Sequence, residues 1–327
     1  YFDFLRGFAI IMVVGIHTMT NHSPSFESLE EACTILLRLM LNCAVPLFLA
    51  ISGYFMASKK LSWGKEHLMF LKRQIPKVYV PCLIFSLPYL AMSIVAGENG
   101  FLKPLVVFFA CGFSVYYFIA LIIQYYILLP TLVKFNNFFG WGGAILTFAI
   151  STISIIIVSY VTKCEGVQLP LLVYAAPFPL WILFFFLGVY FSEHKRDYNI
   201  AAPLALTVVG LLLQIIEYKL WLDNGKVALG IKLSSFVFSA GVIWLFFSSK
   251  LENGYRESMV MKFVNWIGGI SFGVYLLHCY VIIAINKLLP QIGWLEKWTL
   301  VLCVTILLIW VAKALFPRFS VKYLGFR

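Results

Sequence analysis

Two side chains near the start of this sequence are of types that do chemistry, Arg6 and His17, set in the apolar run FLRGFAIIMVVGIH at residues 4–17. An ionisable group inside such a run costs a few kcal/mol and calls for a function or a partner. Eleven residues at 100° each return to within about 20° of the starting direction, so Arg6 and His17 share one helix face about 16 Å apart. A guanidinium fork binds phosphate, and a neutral imidazole of pKa near 6.5 accepts a proton from an attacking hydroxyl. A ligand with anionic groups at one end and a reactive group about 16 Å deeper would span both. An acyl-coenzyme A, phosphates on a long thin arm that ends in a thioester, has that shape. Each residue also has a plainer reading. Arg6 can snorkel to headgroups with Asp3 as N-cap and ion-pair partner, and His17 can donate to a neighbouring helix.

The elements that must position these groups follow from composition. Of 327 residues, 62% are hydrophobic and 12% charged, and the mean hydropathy is +0.92. Such a chain is an integral membrane protein. Apolar runs predict ten spans, at about 4–20, 35–57, 77–97, 115–134, 142–161, 175–191, 200–219, 230–249, 266–288 and 296–317. These runs are continuous rather than alternating, so the fold class is an all-α polytopic bundle. FLKPLVVFFACGF, at residues 101–113, is too short to cross and reads as re-entrant or interfacial. The first span lacks a small-residue cleavage site and is expected to be retained. With no repeat and no dividing linker, residues 1–327 read as a single transmembrane domain with no fused soluble domain.

Charge sets the expected orientation. Lys59, Lys60, Lys65, Lys72, Arg73 and Lys77 crowd residues 58–77, and Lys134, Lys195, Arg196, Lys250, Arg256, Lys262, Arg318, Lys322 and Arg327 fall on the same side under ten spans. That side, with both termini, is expected to be cytoplasmic. Glu27, Glu30, Glu31, Glu98 and Glu165 fall on the other. Topology and anionic headgroups account for the net charge of +11, so no nucleic-acid partner is expected. The seven cysteines have no C-x-x-C spacing and are expected to pack rather than to pair or ligate. No ligand cluster for a metal is evident, and NHS at residues 21–23 fits the glycosylation pattern only weakly.

DFLRGFAIIMVVGIH resembles the first helix of the acyltransferase 3 family of integral-membrane acyltransferases, whose signature is an arginine, ten intervening residues and a histidine. Arg6 and His17 fit it, with Asp3 and Gly7 at their usual places. VPLFLAISGYF (45–55), with Pro46, Ser52 and Gly53, resembles the second helix, and FLKRQIPKVYVP (70–81) the basic approach to the third. VYYFIALIIQYYILLP (115–130) resembles the aromatic fourth helix, and ISFGVYLLH (270–278) a late segment. The family often shows Arg-x-x-Arg before its third helix; Lys72, Arg73 and Lys77 stand there instead.

The resemblance implies transfer of an acyl group, acetyl above all, from cytoplasmic acyl-CoA to a hydroxyl of a cell-envelope or exported sugar, glycan or lipid-linked, in a bacterial inner membrane. His17 is expected to act as general base, with His278 as a second catalytic candidate. Run outward from Trp266, His278 lies about 18 Å up its helix, near the depth of His17. Arg6, Arg73, Lys77 and Ser52 are the candidate donor-binding residues, although Ser52 and Gly53 suggest close helix approach before ligand contact. Tyr116, Tyr117 and Tyr275 are candidates for the oxyanion partner. Outer residues that choose the acceptor are expected near 21–34, 98–114, 162–174 and 220–229. A secondary transporter or flippase of similar helix count is the alternative, with matched broken helices around an isolated midplane site. Arg6 and His17 lining one cavity open to the cytoplasmic face would favour the enzyme.

Overall fold

The computed structural model describes residues 1–19, 26–97, 100–167, 169–226 and 229–326, and within them all regular structure is helical. The sequon at residues 21–23 lies outside the described residues. The chain opens with α1 (Phe2–Thr18). Next, α2 (Leu29–Met40) passes through one 3₁₀ turn into α3 (Ala44–Ala57), where Pro46 occupies the first turn and its missing N–H breaks no helical bond. α4 (Lys65–Ala96) contains three prolines, and α5 (Leu102–Phe109) turns back into α6 (Tyr117–Phe139). α7 (Trp141–Ile155) continues through a π-helical segment, Ile156–Val161, into the short α8 (Thr162–Cys164). α9 (Leu171–Ala175) and α10 (Phe178–Glu193) form one interrupted span, followed by α11 (Ala201–Asp223), α12 (Leu233–Phe246) and the short α13 (Ser249–Gly254). α14 (Met259–Gly269), α15 (Ser271–Leu288), α16 (Trp294–Leu315) and α17 (Pro317–Tyr323) complete the bundle.

Among the described residues, eight helical segments are long and apolar enough to cross a membrane. The other two of the ten expected positions are held by shorter helices, α1 with 17 residues and α12 with 14. Three local expectations change. α4 begins at Lys65 rather than near residue 77, so its 32 residues cover about 48 Å and carry the basic approach as helix. Asp3 lies within the first turn of α1, whose N-cap is Tyr1, so it is an ion-pair partner and not a cap. The expected span at 266–288 is broken at Ile270, between α14 and α15. The 101–113 segment is the short α5 and the bend after it, which set the start of α6 inside the bundle.

Two backbone-to-backbone contacts hold the site's frame. A Cβ on Gly53 would stand 2.2 Å from the Phe185 carbonyl oxygen, and one on Gly188 1.9 Å from that of Ala50, so α3 and α10 pack closely. At α1 and α14, a Cβ on Gly7 would meet the Val264 oxygen at 1.9 Å and one on Gly268 the Asp3 oxygen at 1.9 Å. Lipid offers no hydrophobic force between helices, so such close approach supplies dispersion contact instead. The break before α10 leaves backbone groups that Gln124 satisfies, its Nε2 donating to Ala176 O (2.8 Å) and its Oε1 accepting from the Phe178 N–H (3.1 Å). All seven cysteines are free, and Cys43, Cys82, Cys111 and Cys279 are buried.

Candidate active site

α1 carries Arg6 and His17 to one cavity of about 410 Å³, whose walls also include Ser52 and Phe55 of α3, Lys77 of α4, Tyr117 of α6 and Tyr275 of α15. The helix-face argument therefore holds in three dimensions. At its mouth Arg6 Nη1 donates to Asp3 Oδ1 at 2.6 Å while the guanidinium lies 4.8 Å from the Phe55 ring centroid. About a third of the Arg6 side chain, 34%, remains exposed, so the fork is held but not closed off. Lys77 donates to Gln74 Oε1 at 3.2 Å, and Gln74 lines the same cavity. Nearby, Lys59 sits 4.9 Å from the Phe70 ring, and burial together with the charge of Lys77 holds its ammonium below the ordinary lysine range. This end of the cavity favours anions. Arg73, one turn before Lys77, is exposed and does not line it.

At the deep end His17 lines the cavity, with a second imidazole packed beside it. The His17 and His278 rings lie 5.3 Å apart between centroids, although they come from opposite ends of the sequence. His278 is fully buried and lines neither this cavity nor the one beyond His17. Its Nδ1 faces the carbonyl oxygens of Val274 (3.0 Å) and Tyr275 (2.8 Å), which only accept, so Nδ1 carries the proton and Nε2 is an acceptor. Cys279 Sγ lies 3.4 Å from that Nε2. His278 thus stands behind His17 with its tautomer set by its own helix. It does not line the cavity.

Of the three tyrosine candidates, two hydroxyls are committed to backbone. Tyr116 donates to Leu276 O (2.8 Å) and Tyr275 to Val115 O (2.7 Å), which ties α15 to the bend before α6. Tyr117, the first residue of α6, lines the cavity with no hydrogen-bond partner for its hydroxyl among the described residues. Ser52 also lines the wall, and the adjacent Gly53 makes the close α3–α10 approach expected of the Ser-Gly pair.

His17 also lines a second, smaller cavity of about 120 Å³, which it shares with the first through Val13, Val45 and Tyr117. That cavity lies toward α2 and α12 and includes Arg38, Asn42, Ser235 and Ser239. Sequence reasoning passed over Arg38, although it falls inside the expected 35–57 span and an ionisable residue there is a site candidate by default. Glu217 was passed over as well. It accepts hydrogen bonds from Tyr160, from the Ser234 hydroxyl and from the Ser234 N–H, and is committed to joining α11 to the start of α12. Among the described residues no group of three or more His, Cys, Asp or Glu side chains is placed to hold a metal.

A family model described as an acyltransferase domain matches residues 1–314. No curated protein and no solved structure matches the chain.

Proposed function

The chain belongs to the acyltransferase 3 family of membrane acyltransferases, and from that premise we propose that it moves an acyl group, acetyl above all, from cytoplasmic acyl-CoA to a hydroxyl of a cell-envelope or exported polysaccharide sugar in a bacterial inner membrane. What carries the reading is one observation: Arg6 and His17 line a single cavity, with the basic mouth at the Arg6 end. A transporter reading calls instead for an isolated midplane site. In the proposed orientation both termini and the Lys59 to Lys77 cluster are cytoplasmic, so donor phosphates meet Arg6 and Lys77 while the thioester reaches His17.

The chemistry follows from the groups that line the cavity. The acceptor hydroxyl gives its proton to a His17 ring nitrogen as its oxygen bonds to the thioester carbon. The carbonyl oxygen takes the negative charge, and the Tyr117 hydroxyl, whose oxygen has no other partner among the described residues, donates to it. The carbon–sulfur bond then breaks, and the proton held on His17 passes to the coenzyme A sulfur. His278 keeps His17 oriented from behind.

The test uses protein in nanodiscs with radiolabelled acetyl-CoA, following thioester loss and donor binding for wild type, His17→Ala and Arg6→Ala. The expected result is turnover or binding by wild type, bound but unreacted donor for His17→Ala, and weakened binding for Arg6→Ala. Failure of all three folded proteins to engage any acyl-CoA would overturn the donor assignment and favour a transporter.

A further inference from the structure

Beyond His17, the chain has a second polar constellation that the donor reading leaves unused. Arg38 is 8% exposed and lines the smaller cavity. Its Nη1 donates to Asn42 Oδ1 at 2.8 Å, and Asn42 Nδ2 in turn donates to Gln214 Oε1 at 2.8 Å. Gln214 is fully buried, and its backbone oxygen accepts from Lys232 Nζ at 3.1 Å. Two buried atoms in this hydrogen-bonded series, Arg38 Nε and Gln214 Nε2, have no hydrogen-bond partner among the described residues. Both are donors.

The charge is as open as the hydrogen bonding. Among the described residues no carboxylate lies within ion-pair distance of Arg38, whereas Arg6 has Asp3 and Arg196 has Glu252. Glu217, one turn from Gln214 on α11, is spent on Tyr160 and Ser234. A buried guanidinium held only by an amide is costly, and its missing partner must bring oxygen lone pairs and negative charge. The remaining walls suit a sugar, since Trp181, Phe236 and Tyr117 present rings and Ser235 and Ser239 supply hydroxyl-bearing side chains. At about 120 Å³ the cavity takes roughly four waters' share of volume, the edge of one sugar rather than a polymer.

We propose that this cavity is the acceptor site, and that Arg38 recognises an oxyanion group, a carboxylate or a phosphate, carried on the acceptor close to the hydroxyl that His17 deprotonates. The proposal rests on the acyltransferase reading and deepens it. The acceptor is an acidic or phosphorylated sugar, admitted from the face opposite the donor. Asn42 and Gln214 position the fork of Arg38, and the two cavities meet at His17 so that neither substrate must pass the other.

Thermal melting of the purified protein in nanodiscs tests this with glucuronic acid, glucose 1-phosphate and glucose as probes, each with and without coenzyme A, for wild type and Arg38→Met. Wild type is expected to gain about 2–4 °C from at least one anionic sugar and nothing from glucose. The two anionic sugars separate carboxylate from phosphate. Arg38→Met is expected to lose that gain, to keep the gain from coenzyme A, and to melt no lower than wild type without ligand, because an uncompensated buried charge has been removed. Arg38→Lys, which keeps the charge without the fork, retains less than half of the gain and serves if the methionine variant fails to fold. Equal effects of glucose and both anionic sugars on wild type, or an undiminished gain in Arg38→Met, would overturn the proposal. Absence of any coenzyme A effect strikes the donor reading instead, and the sugar arms still decide what Arg38 binds.

Discussion

The two arginines on either side of His17 are handled in opposite ways. Arg6 stands at a wide mouth, a third exposed, paired with Asp3 and stacked on Phe55; Arg38 is buried in a narrow cavity with an amide for company. Water screens the first, so its ligand can be large, mobile and multiply charged without demanding tight geometry. The second cannot be screened, so its partner must fit. On the proposed reading, exposure rather than residue type decides whether a charge in this bundle recruits a ligand or selects one.

The largest effect expected falls at the point common to both regions. His17→Ala should lower turnover by about 10²–10⁴-fold while leaving donor binding within a factor of three, as loss of a general base does. A drop in binding as large as the drop in rate would instead make His17 a ligand-binding residue of the wide cavity alone. Next, Tyr117→Phe removes one hydroxyl shared by both cavities and should cost about 10²-fold in kcat with KM for acetyl-CoA unchanged. An unchanged kcat would leave the oxyanion without a side-chain donor from this wall. Arg6→Ala should raise the apparent Kd for coenzyme A about 10-fold, and that loss should shrink as salt rises. Arg73→Ala, outside the cavity, should change it by less than a factor of two; equal losses from the two would extend the mouth beyond the walls described above.

Much of the wide cavity was legible in the sequence, and most of the narrow one was not. Arg6 and His17 belong to one helix, so the 3.6-residue period fixes their relation without any knowledge of packing. His17 and His278 were expected at similar depths, and their rings do lie side by side, because axial rise along helices is itself readable from residue number. What depth cannot give is rotation. Which of Tyr116, Tyr117 and Tyr275 keeps an open hydroxyl depends on the bend before α6, and that bend follows from α5 turning back into the bundle. Arg38 and Asn42 stand one turn apart, but Gln214 comes from a distant stretch of chain, and only the packing of α2 on α11 brings it to them. Arg73 was expected to bind donor by position in the sequence, but α4 begins twelve residues before the expected span, and its turns send Lys77 and not Arg73 to the cavity.

The smallest expected effect sharpens the contrast most finely. If Arg6 is a screened charge whose carboxylate neighbour merely holds the fork, Asp3→Asn trades a modest ion pair, about 0.2–1 kcal/mol at an exposed site, for a neutral acceptor that keeps one hydrogen bond. Removing a negative charge from the mouth favours anionic donor, and loosening the fork opposes it, so the net change in coenzyme A affinity should stay below about threefold and vanish at high salt. Titration of coenzyme A at low and high ionic strength measures it. A loss above tenfold that persists in salt would mean that Asp3 organises Arg6 as tightly as Asn42 organises Arg38. The two arginines would then differ in depth but not in kind.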